Sequence, residues 1–264
     1  MAGVTPEIDT SVPHSARVLN YLIGGRDNYA VDRRAGKRLL ALAPELARGA
    51  KEDRYFLGRA VRYLAGEAGI RQFLDIGTGL PTADNTHEVA QRVAPDARVV
   101  YVDNDPLVLV HARALLTSTP EGACDYIDAD ANYPETILRE ASRTLDFSQP
   151  VAIMMLAILH FFPGAVQAQA IISRLIDAVP SGSYLAISHA TTEVGGEGVI
   201  KAIQFWNKKG SVQAASRTRA EIVRLFDRME LLDPGVVSCP RWRPEAGIGE
   251  TADVAVFCGI GRKP

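Results

Sequence analysis

The stretch Phe73-Leu74-Asp75-Ile76-Gly77-Thr78-Gly79-Leu80-Pro81-Thr82 decides the fold: an apolar run ends in an acid and two closely spaced glycines. An apolar run closed by turn residues reads as a buried strand, and Asp75 then stands at its carboxyl end. Gly77 and Gly79 lack the β-carbons that would keep a ligand away from the turning backbone. A second apolar run, 98–102, ends in Asp103, where an acid can grip the hydroxyls of a ribose. The pattern predicts a notch of nucleotide size at the carboxyl ends of adjacent parallel strands.

Outward from this notch, helical and strand patterns alternate. The spacing predicts helices at 15–21 and onward to 42, then an amphipathic helix over 52–67 feeding the strand 72–75. Helices at 85–93, 106–116, 135–142 and 165–179 alternate with strands at 98–102, 124–128, 151–156 and 183–189. Regular alternation of this kind implies a parallel sheet covered on both faces. Helices near 199–208 and 218–225 follow. The last apolar runs, 236–237 and 254–257, leave no room for a crossover helix and predict an antiparallel hairpin at the sheet edge. Residues 1–13 read as a flexible arm, residues 1–50 as arm and helical lid, and 51–264 as a single core.

Composition narrows the function. The 264 residues are 47% hydrophobic, enough for a sizeable core, and the net charge of −2 provides no basic field for nucleic acid. The apolar run at 151–159 is too short to span a bilayer, and no basic-then-apolar leader stands at the N-terminus. Cys124, Cys239 and Cys258 have no metal-ligand or disulfide spacing, so free thiols in a reducing cytoplasm, and no metal, are expected.

The alternation and the acid-Gly-x-Gly turn resemble the Rossmann-like S-adenosylmethionine (SAM)-dependent methyltransferases. Within them the chain is similar to an actinobacterial methyltransferase family long described as a domain of unknown function. The matching motifs are ARVLNYLIGGRDNYAVDR at 16–33, RAVRYLAGEAGIRQFLDIGTGLPT at 59–82, NTHEVAQ at 85–91, VVYVDNDPLVLVHARALL at 99–116 and LAILHF at 156–161. The commonest form of the glycine motif has a third glycine where Pro81 stands here. The resemblance implies an α/β, doubly wound, seven-stranded sheet, mostly parallel with an antiparallel C-terminal hairpin, and SAM as cofactor. It assigns Asp75, Gly77, Thr78 and Gly79 to the methionine and ribose side, Asp103 with neighbouring Asn104 to the ribose hydroxyls, and Asp130 with Ala131 to the adenine, Asp128 being the alternative acid.

The segment 20–29 reads as a lid over the carboxyl rim, where Gly24 permits the turn and Tyr21 or Tyr29 can cover the adenine or the sulfonium. Arg54 is placed to pair with the cofactor carboxylate. If a base is used, His160 is the first candidate and His189 the second, with 193–198 and Trp206 as an acceptor pocket; His160 is equally readable as a structural hydrogen-bonding group, and His189 reads more readily as a structural residue than as a base. Three readings remain: methyl transfer to a small-molecule acceptor, SAM binding without catalysis, and a nicotinamide-dependent oxidoreductase. The last is disfavoured because Thr82 stands where the dinucleotide fingerprint requires glycine.

Overall fold

The computed structural model describes residues 8–115, 117–245 and 252–264. Residues 1–7 of the expected arm, Leu116 of the expected fifth helix and 246–251 of the loop before the last strand lie outside the described residues. The order is α1 (Ser15–Leu22), α2 (Ala30–Leu42), α3 (Leu46–Gly66), β1 (Gln72–Ile76), α4 (Thr86–Val93), β2 (Arg98–Asp103), α5 (Pro106–Leu115) and β3 (Ala123–Asp128). There follow α6 (Pro134–Ala141), β4 (Ala152–Leu156), α7 (Ala165–Asp177), β5 (Tyr184–Ala190), α8 (Gly196–Lys209), α9 (Arg219–Arg224), β6 (Glu230–Leu231), β7 (Val237–Ser238) and β8 (Val256–Arg262).

The strands form one sheet in the order β3-β2-β1-β4-β5-β8-β6, parallel through β5 and antiparallel from β8 onward. β6 and β7 both pair with the outer edge of β8, so eight strands occupy seven positions. The expected hairpin exists as β7 against β8, but β8 also pairs along its length with β5 and extends to Arg262, well past the expected 257.

Both faces of the sheet are dry. Leu74, Ile76, Val100, Ile153 and Leu185 point to one layer with α6, α7 and α9, while Phe73, Val99, Met154 and Ala186 point to the other with α3 and α4. That alternation along each strand is the two-residue period of a pleated sheet buried on both sides. Trp242 is fully buried against Phe56 of α3, with ring centroids 5.3 Å apart, and closes the second layer. Aromatic burial of this size contributes about 1.5–3 kcal/mol per side chain.

Within the arm, Asp9 and Val12 are tied to the helices. Arg17 is buried and donates from Nη1 to the Asp9 carbonyl at 2.9 Å and from Nη2 to the Val12 carbonyl at 2.7 Å. Its Nε pairs with fully buried Asp32 at 3.1 Å, which ties arm, α1 and α2 together. α1 and α2 then pack on α8 through Val18, Leu39, Val199, Ala202 and Trp206.

Candidate active site at the carboxyl rim

β1 and β2 end side by side at this rim. The amides of Gly77 and Thr78 donate to the Val102 carbonyl at 2.8 and 3.3 Å, and the Thr78 hydroxyl donates to the Asp75 carbonyl at 3.0 Å. The two glycines, both left-handed, do different work. A β-carbon on Gly77 (φ +75°) would lie 2.6 Å from Cγ1 of Ile158, so this glycine admits the loop after β4; one on Gly79 (φ +68°) would meet nothing within 4 Å. The β-carbon direction thus points into open space at Gly79 and into Ile158 at Gly77.

Asp103 links that open turn to β2. Its Oδ2 accepts from the Gly79 amide at 2.8 Å, and its Oδ1 accepts from the Asn104 and Asp105 amides at 2.9 and 3.0 Å. A carboxylate has about four lone-pair directions, so these three bonds leave capacity for a ligand hydroxyl. Burial raises its pKa, opposed by the Asp105 and Gly79 amides. Asn104 contributes its backbone, since the residue itself is exposed.

Asp75 is turned inward beneath α4. Only 5% exposed, it accepts from the Thr86 hydroxyl at 2.6 Å, and burial pushes its pKa up to about 6 while Thr86 and Arg54 pull the other way. Arg54 donates to the carbonyls of Asp84 and Ala83 at 3.2 and 3.4 Å, so it holds the loop after the glycines at the same time as its charge faces Asp75.

At the end of β3, Asp130 is half-buried and its Oδ1 accepts from the amide and side chain of Asn132 at 2.8 and 3.0 Å. Asp128 is exposed. The Ala131 side chain belongs to the core layer with Ile127 and Ile137, so only its backbone faces the rim.

The lid residues divide. Gly24 (φ +91°) forms an exposed turn, and Asn28 braces it through Asn20 Oδ1 at 2.8 Å and the Gly25 carbonyl at 3.0 Å. The Tyr21 ring packs against Gly36 of α2, which fixes it within the lid. Tyr29 instead packs with Leu80, Leu107, Val108 and Tyr126, beside the ends of β2 and β3. His14 reaches buried Asp105 at 2.8 Å and fastens the lid to the start of α5.

His189 is held by an unanticipated cation. Arg217 is 6% exposed and donates to the Leu159 and Phe162 carbonyls at 2.9 and 2.7 Å, while its Nη1 lies 2.5 Å from Nε2 of fully buried His189. Burial lowers His189 to about 4, and lowers His160 to about 3 with added repulsion from His189 and Arg217. An imidazole with so low a pKa is neutral at pH 7 but binds a proton weakly, which makes His160 a poor general base. The carboxyl end of β4 also carries Ala157 at φ 52°, its amide held by the Ser188 carbonyl and hydroxyl at 3.2 and 2.8 Å. A non-glycine residue in that region persists only where its surroundings over-determine it. Neither Arg217 nor Ala157 carries a local sequence signal.

The family model for S-adenosyl methyltransferases matches residues 1–264. The chain belongs to this S-adenosyl methyltransferase family. It is similar to a DUF574 family protein from Streptomyces avermitilis, at 44% identity and TM-score 0.94 over 98% of this chain and 100% of that one. A putative methyltransferase from Thermobifida fusca is 41% identical, with TM-score 0.90 over 100% and 99% of the two chains. The N-methyltransferase NodS from Bradyrhizobium japonicum, at 15% identity and TM-score 0.50 over 82% and 97% of the two chains, shares the fold. No curated protein matches the chain. The cofactor of an S-adenosyl methyltransferase fits the rim: Gly79 leaves room for it and Asp103 retains acceptor capacity beside that room. Among the described residues no cluster of metal ligands occurs and no helix is long and apolar enough to cross a membrane.

Proposed function

We propose that the protein methylates a small-molecule acceptor at the carboxyl rim, with the adenosyl group held between Gly79 and Asp103. The coupling of those two residues at 2.8 Å carries the reading, because it brings a carboxylate with spare acceptor capacity to the edge of the open space above Gly79. In this arrangement Asp103, flanked by Asn104, accepts from the ribose, Asp130 or its neighbour Asp128 from the adenine amine, and Asp75 acts from below the Gly77-Thr78-Gly79 turn.

Bound SAM supplies a methyl carbon already activated by its sulfonium, so the chain's task is to align and to exclude water. Tyr29 and Leu80 close the side next to β2, the 1–50 region acts as the lid, and neutral His160 lines the end of β4 as an orienting group. A small acceptor is supported by the net charge of −2, which offers no field for a polyanion. The free thiols of Cys239 and Cys258 suit a cytoplasmic protein.

The test is methyl transfer from radiolabelled SAM into extracts of the native cell, fractionated by size. Label in a dialysable product is expected. Label confined to protein or nucleic acid would overturn the small-molecule assignment.

A further inference from the structure

Asp53 is a buried acid that the fold does not explain. It lies on α3 one turn beyond Gly49, where an added β-carbon would stand 3.4 Å from Val256 Cγ2; this marks the rim, since Val256 pairs with the last residue of β5. Asp53 is 6% exposed, and its Oδ1 has no hydrogen-bond partner. The neighbouring Ser188 hydroxyl and the Arg54 charge favour its ionised form, but burial outweighs both and raises its pKa. A carboxylate with an unmet oxygen in this setting is destabilising, and aspartate is a poor interior helix residue.

The groups around it form a pattern. The charge of Asp53 is felt by Asp75 across the top of the sheet, and Arg54 acts on both acids. Two enclosed carboxylates beside one guanidinium, next to the Gly77 to Gly79 turn, complement an α-ammonium and an α-carboxylate on one carbon. Ammonium donors meet an orphaned carboxylate oxygen through charge-assisted hydrogen bonds, and the guanidinium fork matches a carboxylate.

We propose that Asp53 binds the α-ammonium group at the methionine end of the cofactor through its unpartnered Oδ1, with Arg54 on the adjoining α-carboxylate. This rests on the reading of the rim as the SAM site. Asp53 also neighbours Ser188, whose hydroxyl accepts from the Ala157 amide at 2.8 Å, which sets the acid beside the left-handed residue that follows β4.

Calorimetric titration with S-adenosylhomocysteine and its deamino analogue tests the assignment. The wild-type protein is expected to bind the amino form about 10- to 100-fold more tightly, the range for a charge-assisted hydrogen bond. In Asp53→Asn that preference should fall to within about threefold, while the melting temperature of the ligand-free variant stays level or rises, because an unmet buried carboxyl has been removed. Asp53→Glu, which keeps the charge, should restore part of the preference. An Asp53→Asn variant that keeps the full preference, or one that melts lower and loses both ligands equally, would overturn the proposal. Failure of both variants to fold would overturn it as well, since the carboxyl would then serve folding. No binding of either ligand by the wild-type protein would instead refute the site reading itself.

Discussion

Replacing each glycine of the β1 turn by alanine should produce two opposite phenotypes. Gly77→Ala places a methyl 2.6 to 2.7 Å from three atoms of Ile158, in a residue already at φ +75°. Left-handed strain of about 1–2 kcal/mol adds to overpacking of about 1–3 kcal/mol, so a loss of roughly 2–5 kcal/mol of stability is expected. Gly79→Ala carries the strain alone, about 1–2 kcal/mol, because its methyl would meet nothing within 4 Å. That methyl would, however, occupy the space assigned to the cofactor and tilt the amide that donates to Asp103 Oδ2. Urea unfolding and calorimetry with S-adenosylhomocysteine on both variants separate the two effects. Gly79→Ala should remain folded and lose at least tenfold in affinity, equal to about 1.4 kcal/mol. Near-native affinity in Gly79→Ala would refute the claim that the ligand lies against this turn.

Asp103→Ala should weaken S-adenosylhomocysteine binding by about 1.5–3 kcal/mol in calorimetry, the range for a hydrogen bond to a charged group, and unchanged affinity would remove Asp103 from the site. Asp75 titrates near 6 in the fold against about 3.9 in the unfolded chain, so the native state holds the extra proton between those values and loses stability as pH rises through them. Asp75→Asn should therefore gain about 3 kcal/mol relative to wild type between pH 4 and pH 7 in urea titrations, with Asp53 and Asp103, also raised, leaving a residual slope in the same direction. Arg217→Met strips the Leu159 and Phe162 carbonyls of their donor and should cost roughly 2–4 kcal/mol in denaturant unfolding; a loss below 0.5 kcal/mol, an ordinary surface value, would show that the turn holds itself.

Much of the fold was legible because its strands are buried on both faces and read as unbroken apolar runs bounded by turn residues, as 151–156 does. The start of α4 was legible too, since Asn85 and Glu88 form a capping box. The start of α3 at Leu46 was not: Gly49 reads as a breaker, yet it lies buried within the helix. The outer edge escaped for another reason. β6 and β7 are two residues each, too short for any period to show.

At the rim, position alone places acids near the ends of strands, as Asp75 in β1 and Asp103 in β2 are. Which way each carboxyl faces depends on Thr86 and Gly79, partners that only the packed chain brings to them. The same holds for the histidines. His160 and His189 stand where the sequence puts them, but their neutrality comes from burial and from Arg217, which lies 28 residues after His189 and arrives through a loop without periodic pattern. Asp53 was invisible because an acid in the charged run Lys51-Glu52-Asp53-Arg54 of an amphipathic helix reads as a solvent-facing position.

A crystal structure of the protein with S-adenosylhomocysteine tests the central claim most directly. Ribose hydroxyls within hydrogen-bond reach of the Asp103 carboxylate and the sugar stacked against Gly79 are expected. Ligand density instead in the cavity of about 530 Å³ between Arg71, Arg98 and Gly182, at the opposite end of the strands, would contradict it.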